Sequence, residues 1–183
     1  MKLLIHSTDS APEASRPLLD GLAADLGLVP NLAATIAESP TLLATFDGMR
    51  RAVGTGALAP VLREVAGLAT GVAVDNHYGV AFHSTMLDGL GVAAPEVERM
   101  RSGEPPQDDD ASAAVYVLAQ AIVTERGKVD DTLVDRATAA GLSAADILEV
   151  VAECAFASLV GLVDNLAGHV DLDAFLRPRA WPA

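Results

Sequence analysis

The sequence predicts an all-α protein of about eight helices and no strand. Three observations carry this expectation. Apolar residues recur at three-to-four spacing from the first leucine-rich stretch to the last. Glycine, proline and short capping residues punctuate those stretches where helices would start and stop. Apolar residues make up 51% of the chain but aromatics only 4%, so the core is Ala, Leu and Val packed at short distances, which suits helices better than a sheet. At 183 residues the chain is long enough for one domain with a proper core and too short to require two. We expect that single domain to span 1–183, its core covering about 11–168 and a C-terminal tail following over 169–183.

Leu18, Leu19, Leu22 and Leu26 form the buried stripe of a first helix, with Gly27 as its stop. The Val29-Pro30-Asn31 step breaks the chain before a short helix through Ile36. Ser39-Pro40 then supplies a polar cap and a proline in the first turn, where its missing N–H costs nothing. Leu42, Leu43, Phe46, Met49 and Val53 give this helix its stripe, ended by Gly54 and Gly56.

Pro60 opens a helix in which Val61, Leu62, Val65, Leu68, Val72 and Val74 are apolar on more than one side. A helix greasy most of the way round is buried, so this one belongs at the centre of the domain, with Glu64 on it. Asp75-Asn76 interrupts the run with two capping residues, which predicts a turn and a new helix from near Asn76 to Leu90, before Gly91. Without that reversal Glu64 and His83 would lie roughly 28 Å apart on one straight helix.

A short helix follows over 95–100, then the polar, proline-broken loop 102–110. Helices resume over 111–126 and 130–140. Ser143 with Asp146 has the spacing of a capping box ahead of a long apolar helix, 144–167. The tail, with Phe175, two prolines and Trp181, is expected to lie over another surface of the chain or over another subunit.

The net charge of −13 and a pI near 4.5 exclude nucleic acid and anionic membrane as partners, because such binding rests on Lys and Arg neutralising phosphates. Residues 65–74 are apolar but far short of the about 18 a membrane span needs, and the N-terminal residues lack a signal-peptide core, so a cytoplasmic protein is expected. The single cysteine, Cys154, can form no intrachain disulfide.

Glu64, Asn76, Gly79 and His83 occupy a frame that resembles the active-site signature of the AhpD-like (alkylhydroperoxidase D/carboxymuconolactone decarboxylase) family, in which a Glu precedes Cys-x-x-Cys by twelve residues and a His follows the second Cys by four. The Gly27-Leu28-Val29-Pro30-Asn31 step, the Ser39-Pro40 helix start, Leu62-Arg63-Glu64, the long helix after Ile147 and Asn165-Leu166-Ala167 look like the peroxidase-related branch of that family. The resemblance implies an AhpD-like multi-helical domain that assembles as a homo-oligomer, a dimer, trimer or hexamer, burying helices such as 144–167. It also implies a pocket for a small acidic or peroxide-like ligand. In such proteins the second thiolate attacks peroxide, the first cysteine resolves it, and Glu and His relay the protons that ionise the thiols. Asn76 and Gly79 stand at the cysteine positions, and neither an amide nor a hydrogen can cycle redox state, so the standard dithiol alkylhydroperoxidase reaction is excluded.

What remains of the frame is acid–base chemistry. Glu64 on so apolar a helix must be partnered or neutralised, either in a site or in a structural ion pair. His83 is a proton relay or a core histidine bonded to a carbonyl. His77 and Tyr78 flank the vacated positions near the free N–H groups of a helix start. Glu64, His83, Tyr78 and His77 form the candidate catalytic set, suited to proton abstraction, isomerisation or decarboxylation of a small acid without a cofactor. The competing reading makes His77 a solvated loop residue and Tyr78 a core aromatic. A metal held by Glu64, His77 and His83 is chemically admissible, but the two histidines lie about 120° apart on one helix and no metal is expected. Cys154 in its apolar helix is a buried hydrophobe rather than a substitute nucleophile. His6 and His169 join no visible constellation, and Asp108-Asp109-Asp110 is a solvated helix start rather than a cation site. Two classes of function stay open: an acid–base enzyme or small-ligand binder using a Glu64/His83 pocket, and a non-catalytic structural or assembly protein.

Overall fold

Nine α-helices and two short 3-10 turns account for the regular structure of residues 2–181, which the computed structural model describes; no strand occurs among these residues. The helices are α1 (Arg16–Leu26), α2 (Asn31–Ile36), α3 (Pro40–Gly54), α4 (Pro60–Ala73), α5 (His77–Gly89), α6 (Ala94–Arg101), α7 (Asp110–Thr124), α8 (Asp131–Ala139) and α9 (Ala144–Ala167). The number is close to the about eight expected, and the short α2 and α6 fall where short helices were read from the sequence.

The sequence signals act where they were read. Gly27 closes α1 in the left-handed conformation, φ 77°. Ser39 caps α3 by accepting from the Leu42 N–H, and Asp109 caps α7 by accepting from the Ser112 N–H. The Asp108–Asp110 run thus includes a helix cap. The Ser143/Asp146 capping box is complete in both directions.

The all-round apolar surface of α4 is explained by its neighbours: it packs against α5, α7 and α9 at once. Its residues Val65, Ala66, Leu68 and Ala69 join Val80, Val97, Met100, Tyr116, Leu118, Val150 and Cys154 in one core. A second core gathers Leu19, Leu22, Leu32, Leu43, Phe46 and Tyr78 with Val160 and Val163 of α9 and with Val170 and Leu176 of the tail. The long α9 therefore serves both cores, its N-terminal half one and its C-terminal half the other.

Between α4 and α5 the chain reverses, as Asp75-Asn76 predicts. Asp75 takes a left-handed φ of 56°, the Asn76 N–H donates to Gly71 O at 2.8 Å, and Asn165 of α9 donates its side-chain amide to Val74 O at 2.8 Å. The described tail lies over its own chain: Leu176 is fully buried, and the Trp181 indole N–H donates to Arg101 O at 3.2 Å. Residues 182 and 183, part of the expected tail, lie outside the described residues. No helix among the described residues is long and apolar enough to cross a membrane.

Candidate acid–base site

The reversal at Asn76 brings Glu64 of α4 and His83 of α5 together. The His83 Nδ1–H donates to Glu64 Oε2 at 2.9 Å, and both residues are buried, 7% and 6% exposed. Room for the imidazole comes from the facing helix: Gly67 lies one turn beyond Glu64, and a Cβ there would overlap the His83 ring. Glycine at 67 is thus a steric requirement of His83. On the other side of the carboxylate, Arg63 donates to Glu64 Oε1 through Nε (3.2 Å) and Nη2 (3.0 Å).

A third titratable group completes the cluster. Glu153 of α9, 2% exposed, places Oε1 3.8 Å from His83 Nε2. That separation is too long for a hydrogen bond. Sequence reasoning passed over Glu153 in favour of its neighbour Cys154. The signal was present in the helical phase: Glu153 falls on the buried stripe of α9 with Val150, Ala157 and Val160. An acid on such a stripe requires a partner.

The trio perturbs its own ionisation. Burial pushes the Glu64 carboxyl up, but the hydrogen bond and charge of His83, followed by those of Arg63, outweigh it and hold the group below its ordinary range. His83 feels the mirror image: burial disfavours its cation, and the hydrogen bond and charge of Glu64, then the charge of Glu153, raise its pKa. Glu153 is displaced upwards, chiefly by burial, with Glu64 adding and His83 opposing. Two carboxyls on one imidazole thus have their proton affinities driven apart, a pattern typical of functional sites.

All three line a cavity of about 240 Å³ together with Arg63. Its other walls are mostly apolar, with Phe46, Phe82, Phe156 and Phe175 contributing aromatic surface and Tyr78 its ring. Arg50 also reaches the wall but is held by Asp47 and Asp25 at 2.7 and 3.0 Å.

The remaining sequence candidates separate. The Tyr78 hydroxyl donates to Asp173 of the tail at 2.5 Å, and burial first, then Asp173, pushes its pKa up. Tyr78 thus lines the cavity with its phenolic proton already committed. His77 does not line the cavity; it stacks on His169 with ring centroids 3.9 Å apart and meets Trp181 edge-on. The proposed grouping of His77 with Glu64 and His83, as catalytic set or as metal ligands, is therefore not formed. The physical reason is the helical phase: six residues on from His77, His83 points to another side of α5. His77 is not a solvated loop residue either, its side chain being only 16% exposed.

Asn76 and Gly79 are coupled to each other. The Asn76 side chain accepts from the Gly79 N–H at 2.8 Å, capping α5, and its amide fills the space that a Cβ at position 79 would need. Cys154 is buried, its Sγ 3.9 Å from Ala119 O, and burial pushes its thiol up to about 11. A thiol so protonated is a poor nucleophile at neutral pH.

No family model and no curated protein matches the sequence significantly, whereas solved structures match closely in shape. A structure described as an alkylhydroperoxidase AhpD core, an uncharacterized peroxidase-related protein from Ralstonia eutropha JMP134, aligns with a TM-score of 0.83 at 20% identity, covering 96% of this chain and 94% of that one. A variant of the debrominase Bmp8, in complex with 2,3,4-tribromopyrrole, aligns at 0.76 and 19% identity over 98% and 96% of the two chains. An uncharacterized peroxidase-related protein from Silicibacter sp. TM1040 aligns at 0.76 and 16% identity over 94% and 92%. The chain has the AhpD-like all-α fold of these peroxidase-related structures.

Proposed function

We propose that the protein is an acid–base catalyst for a small, largely apolar carbon acid, with proton acceptor and donor supplied by its own side chains. The observation that carries this reading is the convergence of Glu64, His83 and Glu153, from three different helices, on one wall of an otherwise apolar cavity. Structural ion pairs do not need a cavity.

Roles follow from the ionisation. Glu64 stays ionised and, through Nδ1, fixes the tautomer and orientation of His83. His83 as imidazolium presents its Nε2–H on the side of Glu153. Glu153, whose pKa is raised chiefly by burial, takes a proton from the ligand's carbon when it is ionised. His83 delivers its Nε2 proton to the oxygen on which the resulting charge gathers. The ligand has then lost one proton and gained one, a tautomerisation, and exchange with solvent, Glu153 releasing a proton and His83 taking one up, resets the pair. No electrons change hands.

Both arginines at the cavity are already matched by carboxylates, Arg63 by Glu64 and Arg50 by Asp47. A neutral carbonyl compound therefore suits the site better than the acidic ligand expected from the sequence. The aromatic lining favours a flat molecule. A ligand of that kind, a small ring, is held by the similarly folded Bmp8 variant, which supports the size and shape we assign.

The test is deuterium exchange. A panel of small neutral ketones and ring carbonyl compounds in D2O, followed by proton NMR, should include members whose α-protons exchange faster with the protein. The acceleration should fall by on the order of 10²-fold or more in Glu153→Gln and in His83→Asn. If no member exchanges faster than in buffer, or if both variants retain the acceleration, the proposal fails. Ligand-induced stabilisation that persists in both variants, without exchange, would identify a binding protein instead.

A further inference from the structure

We propose a divalent metal site, independent of the acid–base cavity, built from Asp75, His77 and His169 and suited to a late first-row ion such as Zn2+. Three segments meet there: the left-handed turn between α4 and α5, the first residue of α5, and the residue after the C-cap of α9. One ligand atom from each residue lies within 4.8 Å of the other two.

The Asp75–His77 separation is that of two ligands rather than of hydrogen-bonding partners. His77 Nε2 is 3.5 Å from Asp75 Oδ1, beyond the about 2.7–3.2 Å of an N–H···O bond. Two donors on one tetrahedral ion with bonds of about 2.0–2.1 Å lie about 3.3 Å apart. Asp75 is exposed, so its carboxylate can swing in to close the set, and the ion has a path from solvent.

His169 is prepared for the role by a buried carboxylate. Asp164, with no exposed surface, accepts from His169 Nδ1 at 3.1 Å and is itself held by the N–H groups of Val170 at 2.8 Å and Tyr78 at 3.3 Å. With its proton on Nδ1, His169 keeps an Nε2 lone pair for an ion, the arrangement in which a second carboxylate orients a metal-bound imidazole. The His77 and His169 rings stack with centroids 3.9 Å apart, which keeps the two imidazoles side by side. Two imidazoles and a carboxylate suit zinc, nickel, cobalt or copper, water completing the shell, and a net charge of −13 attracts cations. Bound there, the ion would clasp the end of α9 to the start of α5, the helix that carries His83.

Trp181 meets His77 edge-on at 5.3 Å and is the only tryptophan in the chain, which provides a local reporter. The full-length protein, stripped with chelator, is titrated with Zn2+ by calorimetry and with Cu2+ or Ni2+ by tryptophan fluorescence, at pH 7.5. One ion per chain should bind, with quenching by the paramagnetic ions. His169→Gln and His77→Ala should each weaken it at least tenfold, while His6→Ala and His83→Asn leave it unchanged. Far-ultraviolet circular dichroism of each variant confirms that it is folded. The absence of saturable uptake by the wild type overturns the proposal, as does uptake that survives both His77→Ala and His169→Gln. Uptake abolished instead by His83→Asn would place the ion in the acid–base cavity and overturn it equally.

Discussion

Replacing Gly67 by alanine should destabilise the protein, although glycine-to-alanine changes inside a helix ordinarily stabilise. The new methyl would overlap the His83 imidazole, and the ring, buried beneath α4, must leave its place beside Glu64. Three contributions set the magnitude. The displaced ring loses a hydrogen bond to a charged group, about 1.5–3 kcal/mol. Forcing an extra methyl into a packed interior costs about 1–3 kcal/mol. Against these stands the helix-propensity gain of about 1 kcal/mol. The net loss is roughly 1.5–5 kcal/mol, a fall in melting temperature of about 3–20 °C for a chain of this size.

Gly48→Ala is the internal control. Gly48 also sits inside a helix, α3, but nothing lies within 4 Å of a Cβ there, so only the propensity gain of up to about 1 kcal/mol remains and the melting temperature should rise by about 2–4 °C. Thermal melts of both variants and the wild type by circular dichroism decide the matter. A Gly67→Ala protein that melts within about 1 °C of the wild type, or above it as Gly48→Ala should, refutes the idea that the glycine exists to seat the histidine.

Stability should also depend on pH in a defined direction. The Glu64 pKa is lowered on folding, so its contribution is present above the unfolded value near 4.5 and fades as pH falls through the folded one; the His83 pKa is raised, so its contribution is complete below about 6.5 and is lost as pH rises through the folded value. Denaturant titrations should therefore place the maximum benefit of the pair between those two values, and a wild-type minus His83→Asn difference that instead grew from pH 6 to pH 9 would contradict the assignment. Asn76→Ala removes the cap of α5 and should cost about 0.5–2 kcal/mol. Gly79→Ala collides with the Asn76 amide, so the double variant should be less destabilised than the sum of the singles, and strict additivity in urea melts would refute their coupling. We propose that the chain self-associates through the face of α9 that exposes Leu148, Val151 and Leu162, spaced for helix-on-helix packing. Leu162→Glu should then lower the mass seen by light scattering, and a wild type already monomeric at high concentration would dispose of the idea.

Local rules made most of the fold legible. The caps at Ser39 and Ser143, the stop at Gly27 and the turn at Asp75-Asn76 each depend on residues adjacent in sequence, and the structure repeats them. The Glu64–His83 pair was legible because the resembled frame spans both residues and the turn supplies the reversal. Glu153 was not, because its partner lies seventy residues away on another helix and only the phase of α9 hinted that it faces inward. The His77–His169 stack was hidden for the same reason: His169 belongs to the chain just beyond α9, and nothing near it in sequence indicates that this end returns to α5. Tyr78 was ambiguous at the outset because both expectations held in part, its ring lining the cavity and its hydroxyl bound to Asp173.

Asn76 and Gly79 hold each other in place at the start of α5. In a thiol enzyme of this frame, the N-terminus of the second helix would help to ionise a sulfur at the position that Gly79 holds. Here the Gly79 N–H is already taken by the Asn76 side chain, and that same side chain occupies the volume a substituent at 79 would require. Each residue makes sense only with the other: the amide can fold back because position 79 has no side chain, and glycine is tolerated inside a helix start because the amide caps it. Placing a single cysteine at either position would therefore disrupt a satisfied cap without creating a redox pair. The polar chemistry of the molecule has its centre elsewhere, one to two turns along α5, where His83 stands between two carboxyls at the wall of a cavity. That separation leaves the buried glutamate, the buried histidine and the glycine that makes room for it independent of what stands at positions 76 and 79.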